Sequence, residues 1–165
     1  MIFSRRCEYG LRALAHLARS RQRCGAREIS RDQQIPYHFT AKILQDLKAK
    51  GFVCSFRGSG GGFALVRPPE TICLLEVFRA LEGAQFLTRC AFGLDGCSDS
   101  QPCSLHPRWN TLRAQMEAFL RSHTVGDLLR GNPLAVESSD DQPPALSQLI
   151  PSGIGTSEDE GRPKS

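Results

Sequence analysis

Three cysteines that lie close together in the second half of the chain are the residues best suited to chemistry. Six residues separate Cys90 from Cys97, five separate Cys97 from Cys103, and two separate Cys103 from His106. The surrounding segment, residues 88–107, shows no hydrophobic periodicity, which predicts a loop. The chain has seven cysteines, and an odd number in a reducing compartment favours metal or redox chemistry for a clustered subset over a disulfide framework.

The remaining cysteines and histidines carry weaker signals. Three cysteines accompany apolar segments and are expected in the core: Cys7, Cys54 and Cys73. Cys24 lies between two predicted helices, where we expect it to be exposed. His16 and His123 have no neighbours along the chain that suggest a site, and no Ser/His/Asp or paired-carboxylate pattern indicates an enzyme.

The composition of the first residues and the length of the apolar runs indicate the compartment. No run approaches the roughly 20 apolar residues that a membrane span needs. Arg5, Arg6 and Glu8 follow Met1–Phe3 directly, so a secretory apolar segment is absent. We therefore expect a cytoplasmic protein without a membrane partner.

The charge of the chain is distributed unevenly. Residues 1–67 contain thirteen Lys and Arg against four Asp and Glu, a net charge of +9, whereas residues 131–165 carry a net charge of −4. A basic N-terminal half is typical of a protein that binds the phosphate backbone of DNA. A solvated basic surface without a partner is the alternative.

Hydrophobic periodicity predicts how the N-terminal half is built. Helices are expected over residues 5–20, 26–33 and 37–49, followed by a hairpin of residues 52–57 and 63–66 around a glycine-rich turn. Three short helices and a hairpin are the elements of a winged helix-turn-helix, so the predicted fold is mainly α with a two-stranded wing. An ordinary flexible hairpin is the alternative for the turn, and a phosphate-binding loop of the Walker type is excluded because no Gly-Lys-Ser/Thr follows.

The third helix and the wing contain the residues expected to contact DNA. A recognition helix presents polar side chains near its N-terminus while its other face is apolar. The expected buried stripe is Phe39, Ile43, Leu44 and Leu47, and the expected exposed face is Tyr37, His38, Thr40 and Lys42. The wing residues expected at the DNA are Arg57, Gly58, Ser59 and Gly60.

The second half of the chain predicts two more helices on either side of the cysteine loop. Residues 74–82 have an apolar face, and Pro107 can begin a helix that runs to about residue 122. The apolar residues of this last helix have three- and four-residue spacing, which is typical of a seam with another helix: Trp109, Leu112, Met116 and Phe119. Residues 124–129 add one further turn.

Three segments of this chain resemble the Rrf2 family of bacterial transcription regulators. They are Ala26-Arg27-Glu28-Ile29-Ser30, Leu47-Lys48-Ala49-Lys50-Gly51-Phe52-Val53 and Arg57-Gly58-Ser59-Gly60-Gly61-Gly62-Phe63. The resemblance extends over residues 1 to about 130. It implies a homodimer in which the long helix after the loop packs on its partner. An acidic residue on the recognition helix helps select sequence in the family, but Ala41 stands at the matching position here.

The same resemblance implies an iron–sulfur cluster on Cys90, Cys97 and Cys103, and thiolates on a loop suit such ligation. A structural zinc site is a second interpretation, although spacings of six and five exceed the usual two to four. A disulfide with a spare thiol is disfavoured in the cytosol. Three unconnected thiols remain a further alternative, because some members of the family lack a cluster.

Two residues match fourth ligands of the family. His106 resembles the histidine that completes a 2Fe–2S cluster in some members, and Glu8 resembles the acidic ligand that others supply across the dimer to a 4Fe–4S cluster. Their alternatives are a solvent-bonded residue before Pro107, and a surface charge paired with Arg5 or Arg12. We slightly favour Glu8 and 4Fe–4S, because a bond from the DNA-binding half to the cluster would transmit cluster loss directly.

These observations predict three regions and one function. Residues 1–68 form the DNA-binding domain, residues 69–130 form the cluster loop and dimerisation helices, and residues 131–165 form a disordered tail rich in Pro and Ser. The expected function is a transcriptional regulator whose binding to a double-stranded operator is controlled by a cluster that senses nitric oxide, iron or redox state. The alternatives are a zinc- or thiol-based structural or redox protein and a cluster-free member of the same family.

Overall fold

The computed structural model describes residues 3–58, 60–83, 86–90, 100 and 102–130. Three sequence predictions therefore lie outside the described residues: the position of Cys97, the position of Ser59 and the disorder of the tail. Among the described residues, no helix has the combined length and apolar character required to cross a membrane.

The described elements are five α-helices and one hairpin. They are α1 Arg5–Ser20, α2 Ala26–Asp32, α3 Tyr37–Ala49, β1 Val53–Phe56, β2 Gly62–Leu65, α4 Leu74–Glu82 and α5 His106–Ser122. The two strands are antiparallel, with Val53 opposite Leu65 and Phe56 opposite Gly62. Short 3-10 turns follow the wing at Pro69–Thr71 and α5 at Asp127–Leu129. The prediction of a mainly helical fold with a two-stranded wing is confirmed.

Local capping explains where the first helices begin and end. The Ser4 hydroxyl accepts the Cys7 N–H at 3.2 Å and starts α1. Arg21 ends α1 with a positive φ of 52°. The Glu28 carboxylate accepts the Gly25 N–H at 3.1 Å, which caps α2. These signals are local, so the sequence alone locates the helices closely.

One hydrophobic core joins the helices of both halves of the chain. Its fully buried side chains include Leu14 of α1, Leu44 of α3 and Val77 of α4, and Leu120 of α5 packs in the same cluster. The described helices therefore form one packed structure, and the boundary at residue 68 remains a prediction about function.

The structure corrects the helical phase that we predicted for α3. Thr40, expected on the exposed face, is only 1% exposed, whereas Phe39, expected in the core, is 48% exposed. The buried residues of α3 are Thr40, Ile43, Leu44 and Leu47, which follow the three- and four-residue spacing of one helix face. The Thr40 hydroxyl donates to the Pro36 carbonyl at 3.4 Å, so it is buried with a partner.

The burial of the cysteines also differs in part from the prediction. Cys7 lies in the core as predicted, but Cys54 and Cys73 are only half-buried. Cys24, expected to be exposed, is 2% exposed because its backbone pairs with the wing.

Candidate nucleic-acid interface and cluster loop

The N-terminal end of α3 presents an exposed polar surface. Tyr37 is 46% exposed, and His38 and Lys42 are also exposed. The Arg27 guanidinium of α2 lies 4.8 Å from the centroid of the Tyr37 ring. Arg27 therefore adds a cation to this surface. Sequence reasoning missed it, because only the packing of α2 against α3 brings the two residues together.

The wing presents a second exposed surface. Arg57 follows β1 and is exposed, and Gly58 and Gly60 turn the chain with φ values of +90° and +76°. The Arg23 guanidinium lies 3.7 Å from the centroid of the Phe56 ring. Arg23 is a further cation that sequence reasoning missed, since it comes from the link between α1 and α2.

Two backbone hydrogen bonds join the wing to the link between α1 and α2. The Cys24 N–H donates to the Phe63 carbonyl at 3.0 Å, and the Phe63 N–H donates to the Cys24 carbonyl at 2.9 Å. A Cβ on Gly62 would lie 2.7 Å from the Cys24 carbonyl oxygen. The close approach of the two backbones therefore requires glycine at position 62.

We expect Gly62→Ala to destabilise the protein by about 1–3 kcal/mol, because backbone atoms cannot move aside as a side chain can. Chemical denaturation measures the loss. Gly25→Ala is the matched control, since a Cβ on Gly25 meets nothing within 4 Å; its expected cost, at a helix N-cap, is below about 1 kcal/mol. Equal losses in the two variants would contradict this account of the wing.

The described ends of the cysteine loop both lie beside the first half of α5. The His106 N–H donates to the Cys103 carbonyl at 3.0 Å, so these two residues share a turn. The Trp109 indole N–H donates to the Arg89 carbonyl at 3.4 Å, and the Arg113 guanidinium donates to the Thr88 carbonyl at 3.2 Å. Cys90 follows directly and is half-buried, whereas Cys103 is exposed. Thiolates are the usual ligands of iron–sulfur clusters, so Cys90 and Cys103 are the candidate ligands among the described residues of this loop.

The two candidate fourth ligands differ in their surroundings. His106 is only 5% exposed, and its Nε2 lies 2.8 Å from the Asn110 side-chain nitrogen. Glu8 lies on α1 and forms an ion pair of 3.4 Å with Arg12. The structure thus places the backbone of His106 in the same turn as Cys103, and it places Glu8 on α1, within the predicted DNA-binding domain.

Cys7 is unsuited to metal binding in this structure. Burial, together with the neighbouring Glu82 carboxylate, raises the pKa of its thiol to about 12. The side chain is fully buried, and among the residues that the structure describes it belongs to no group of three ligand side chains that could hold a metal ion.

The outer face of α5 is apolar and exposed. Phe119 is 58% exposed and Leu112 is 47% exposed, while Trp109 and Met116 are half-buried. Large apolar residues spaced in this way are typical of a surface that packs against another helix.

A basic recognition helix, a wing and a cysteine loop together define a transcription regulator rather than an enzyme. The family model of Rrf2, described as an iron-dependent transcriptional regulator, matches residues 3–131, and the chain belongs to this family. A protein of Aquifex aeolicus (strain VF5) assigned to the HTH-type transcriptional regulators is 34% identical over 132 residues, which are 78% of this chain and 92% of that protein.

Other relatives support the same family and fold. The regulator IscR of Escherichia coli is 32% identical over 102 residues, and this match spans 62% of each protein. CymR, the global cysteine regulator of B. subtilis, superposes with a TM-score of 0.67 at 23% identity, covering 78% of this chain and 95% of that one. IscR of T. potens superposes with a TM-score of 0.61 at 23% identity, covering 77% and 85%.

Proposed function

We propose that this protein is a homodimeric, cytoplasmic regulator whose binding to operator DNA is controlled by an iron–sulfur cluster on Cys90, Cys97 and Cys103. The observation that carries the proposal is the cysteine loop, in which the segments next to Cys90 and Cys103 are both hydrogen-bonded to residues of α5. When bound, the cluster supplies a group that reacts to nitric oxide, iron supply or redox state.

The DNA contacts divide into phosphate and base contacts. Exposed Lys and Arg side chains would supply the salt-dependent affinity, and the exposed side chains of Tyr37, His38 and Arg57 are the ones proposed to read base edges. Gly58 and Gly60 let the wing backbone approach the duplex, and Ser59 remains a predicted contact. Thr40 is not part of this proposal because it is buried.

Arg12 supplies a route from the cluster to the recognition helix if Glu8 is the fourth ligand. Its guanidinium pairs with Glu8 and also donates to the Gln33 carbonyl, in the turn that precedes α3. Recruitment of Glu8 to a cluster would change this bridge and with it the support of α3. His106 is the first residue of α5, three residues after Cys103, and a bond from it to the cluster would not involve Arg12. We therefore favour Glu8 and a 4Fe–4S cluster over His106 and a 2Fe–2S cluster.

The test is operator binding by anaerobically purified protein before and after cluster removal, together with Mössbauer spectra of Glu8→Ala and His106→Ala. We expect iron and sulfide in the wild type, a change of operator affinity on cluster loss, and a perturbed cluster in Glu8→Ala alone. A perturbed cluster in His106→Ala alone would reverse the ligand assignment. Operator binding that is indifferent to the cluster would refute the proposed control.

The dimer is expected to form through the exposed face of α5. Phe119→Asp would bury a charge in that interface, so we expect the dissociation constant of the dimer to rise at least about tenfold. Light scattering after size-exclusion chromatography measures the mass, and Ala114→Asp, an exposed position on another face of the same helix, is the control. A Phe119→Asp protein that remains a dimer at all concentrations would exclude this face.

A further inference from the structure

Three side chains from successive segments lie close together at the base of the wing, and one of them belongs to Cys24, whose backbone pairs with Phe63. They are His16 of α1, Cys24 of the α1–α2 link and Glu28 of α2. One ligand atom from each, a ring nitrogen, the sulfur and a carboxylate oxygen, lies within 4.8 Å of the other two. The cluster loop and the DNA-contacting residues use none of them.

His16 has an unsatisfied nitrogen at this position. Its Nε2 is buried without a hydrogen-bond partner, and among the residues that the structure describes it is the sole buried side-chain polar atom in that condition. Its Nδ1 lies 3.3 Å from the Gln33 side-chain nitrogen. With the Gln33 amide turned over, its oxygen would accept the Nδ1 proton and leave the Nε2 lone pair for a metal ion, as in many metal-bound histidines.

Cys24 and Glu28 supply the charge that a cation needs. Burial raises the pKa of the Cys24 thiol. The hydrogen bond with the Ser20 hydroxyl lowers this pKa in part, and the Glu28 carboxylate raises it. The Cys24 sulfur lies 3.1 Å from the Ser20 oxygen. A divalent cation would favour the thiolate and would be neutralised by one thiolate and one carboxylate. Glu28 is exposed, which gives the ion a path from solvent.

We propose that His16, Cys24 and Glu28 bind one divalent metal ion of the zinc class. One nitrogen, one sulfur and one oxygen ligand suit Zn²⁺, whereas Mg²⁺ and Ca²⁺ prefer oxygen alone. Three protein ligands leave a fourth position for water. The site is independent of the iron–sulfur loop.

The position of Cys24 determines what such an ion would do. Its N–H and carbonyl are the two groups that hold Phe63 of the wing. An ion held by α1 and α2 would immobilise Cys24 and with it the base of the wing. Zn²⁺ should therefore slow hydrogen exchange of the Cys24 and Phe63 amides.

Cobalt binding tests the site directly. In protein whose Cys90, Cys97 and Cys103 are all Ser, we expect one Co²⁺ per chain with a thiolate-to-cobalt absorption band that Zn²⁺ removes. Cys24→Ser and His16→Gln should weaken Co²⁺ binding by more than about tenfold. The matched control is Cys54→Ser, because the Cys54 sulfur lies on the neighbouring β1 and contacts the Ala64 carbonyl instead. Unchanged binding in Cys24→Ser, or no binding in the parent, would overturn the proposal.

A second measurement avoids substitutions that could disturb folding. Cys24 is 2% exposed, so iodoacetamide reaches its thiol through local opening of the structure. In the wild-type protein at a urea concentration below the unfolding transition, where such opening is frequent, Zn²⁺ should slow alkylation of Cys24, as mapped by peptide mass spectrometry, and leave the rate at Cys54 unchanged. Glu28→Gln keeps an oxygen for the Gly25 N–H and should lose most of this protection. Alkylation of Cys24 at the same rate with and without Zn²⁺ would also overturn the site.

Discussion

Replacing Cys103 by Ala is expected to abolish iron and sulfide binding and to remove the response of operator binding to the cluster. Cys103 is exposed at one end of the loop, and Cys90 lies at the other end. Hydrogen bonds to α5 hold the chain next to each of them. A cluster that loses one of three thiolates retains too few ligands to persist. We expect the same loss in Cys90→Ala and Cys97→Ala, measured as iron and sulfide per chain after anaerobic purification.

Two cysteines outside the loop serve as controls for that result. Cys54 lies on β1 and Cys7 lies in the core with a raised thiol pKa. Cys54→Ala and Cys7→Ala should therefore keep the full iron content, although Cys7→Ala leaves a small cavity and some loss of stability is expected there. Full iron content in Cys97→Ala would refute the cluster assignment.

Replacing Arg57 by Ala is expected to weaken operator binding by about tenfold to hundredfold and to reduce the preference for the operator over random DNA. Arg57 is exposed at the tip of β1, and among the described residues no carboxylate pairs with it. An arginine that reads a base pair contributes about 1–3 kcal/mol of discrimination. Fluorescence anisotropy with operator and scrambled duplexes measures both effects.

Lys50 provides the contrast. It is exposed at the end of α3, where a cation can contact phosphates but not bases. Lys50→Ala should weaken operator and scrambled DNA alike and lower the salt slope by about one unit. Unchanged operator binding in Arg57→Ala would remove the wing from the interface.

The sequence alone located the helices and the wing. These features depend on local signals: helical periodicity for α1 and α4, the glycine-rich turn after Arg57, and Pro107 in the first turn of α5. Each signal acts within about one turn of its own segment, so no tertiary information is needed to recognise it.

Only the tertiary structure decided which side chains meet. Phe39 is more apolar than Thr40, so the apolar pattern suggested the wrong residue as buried. The packing of both α1 and α2 on α3 determines which face of α3 is buried. Arg27 and Tyr37, or His16 and Cys24, belong to separate segments whose distance depends on how the helices cross. Contacts between side chains of different segments depend on how the shared core packs, and a single sequence contains no local signal for them.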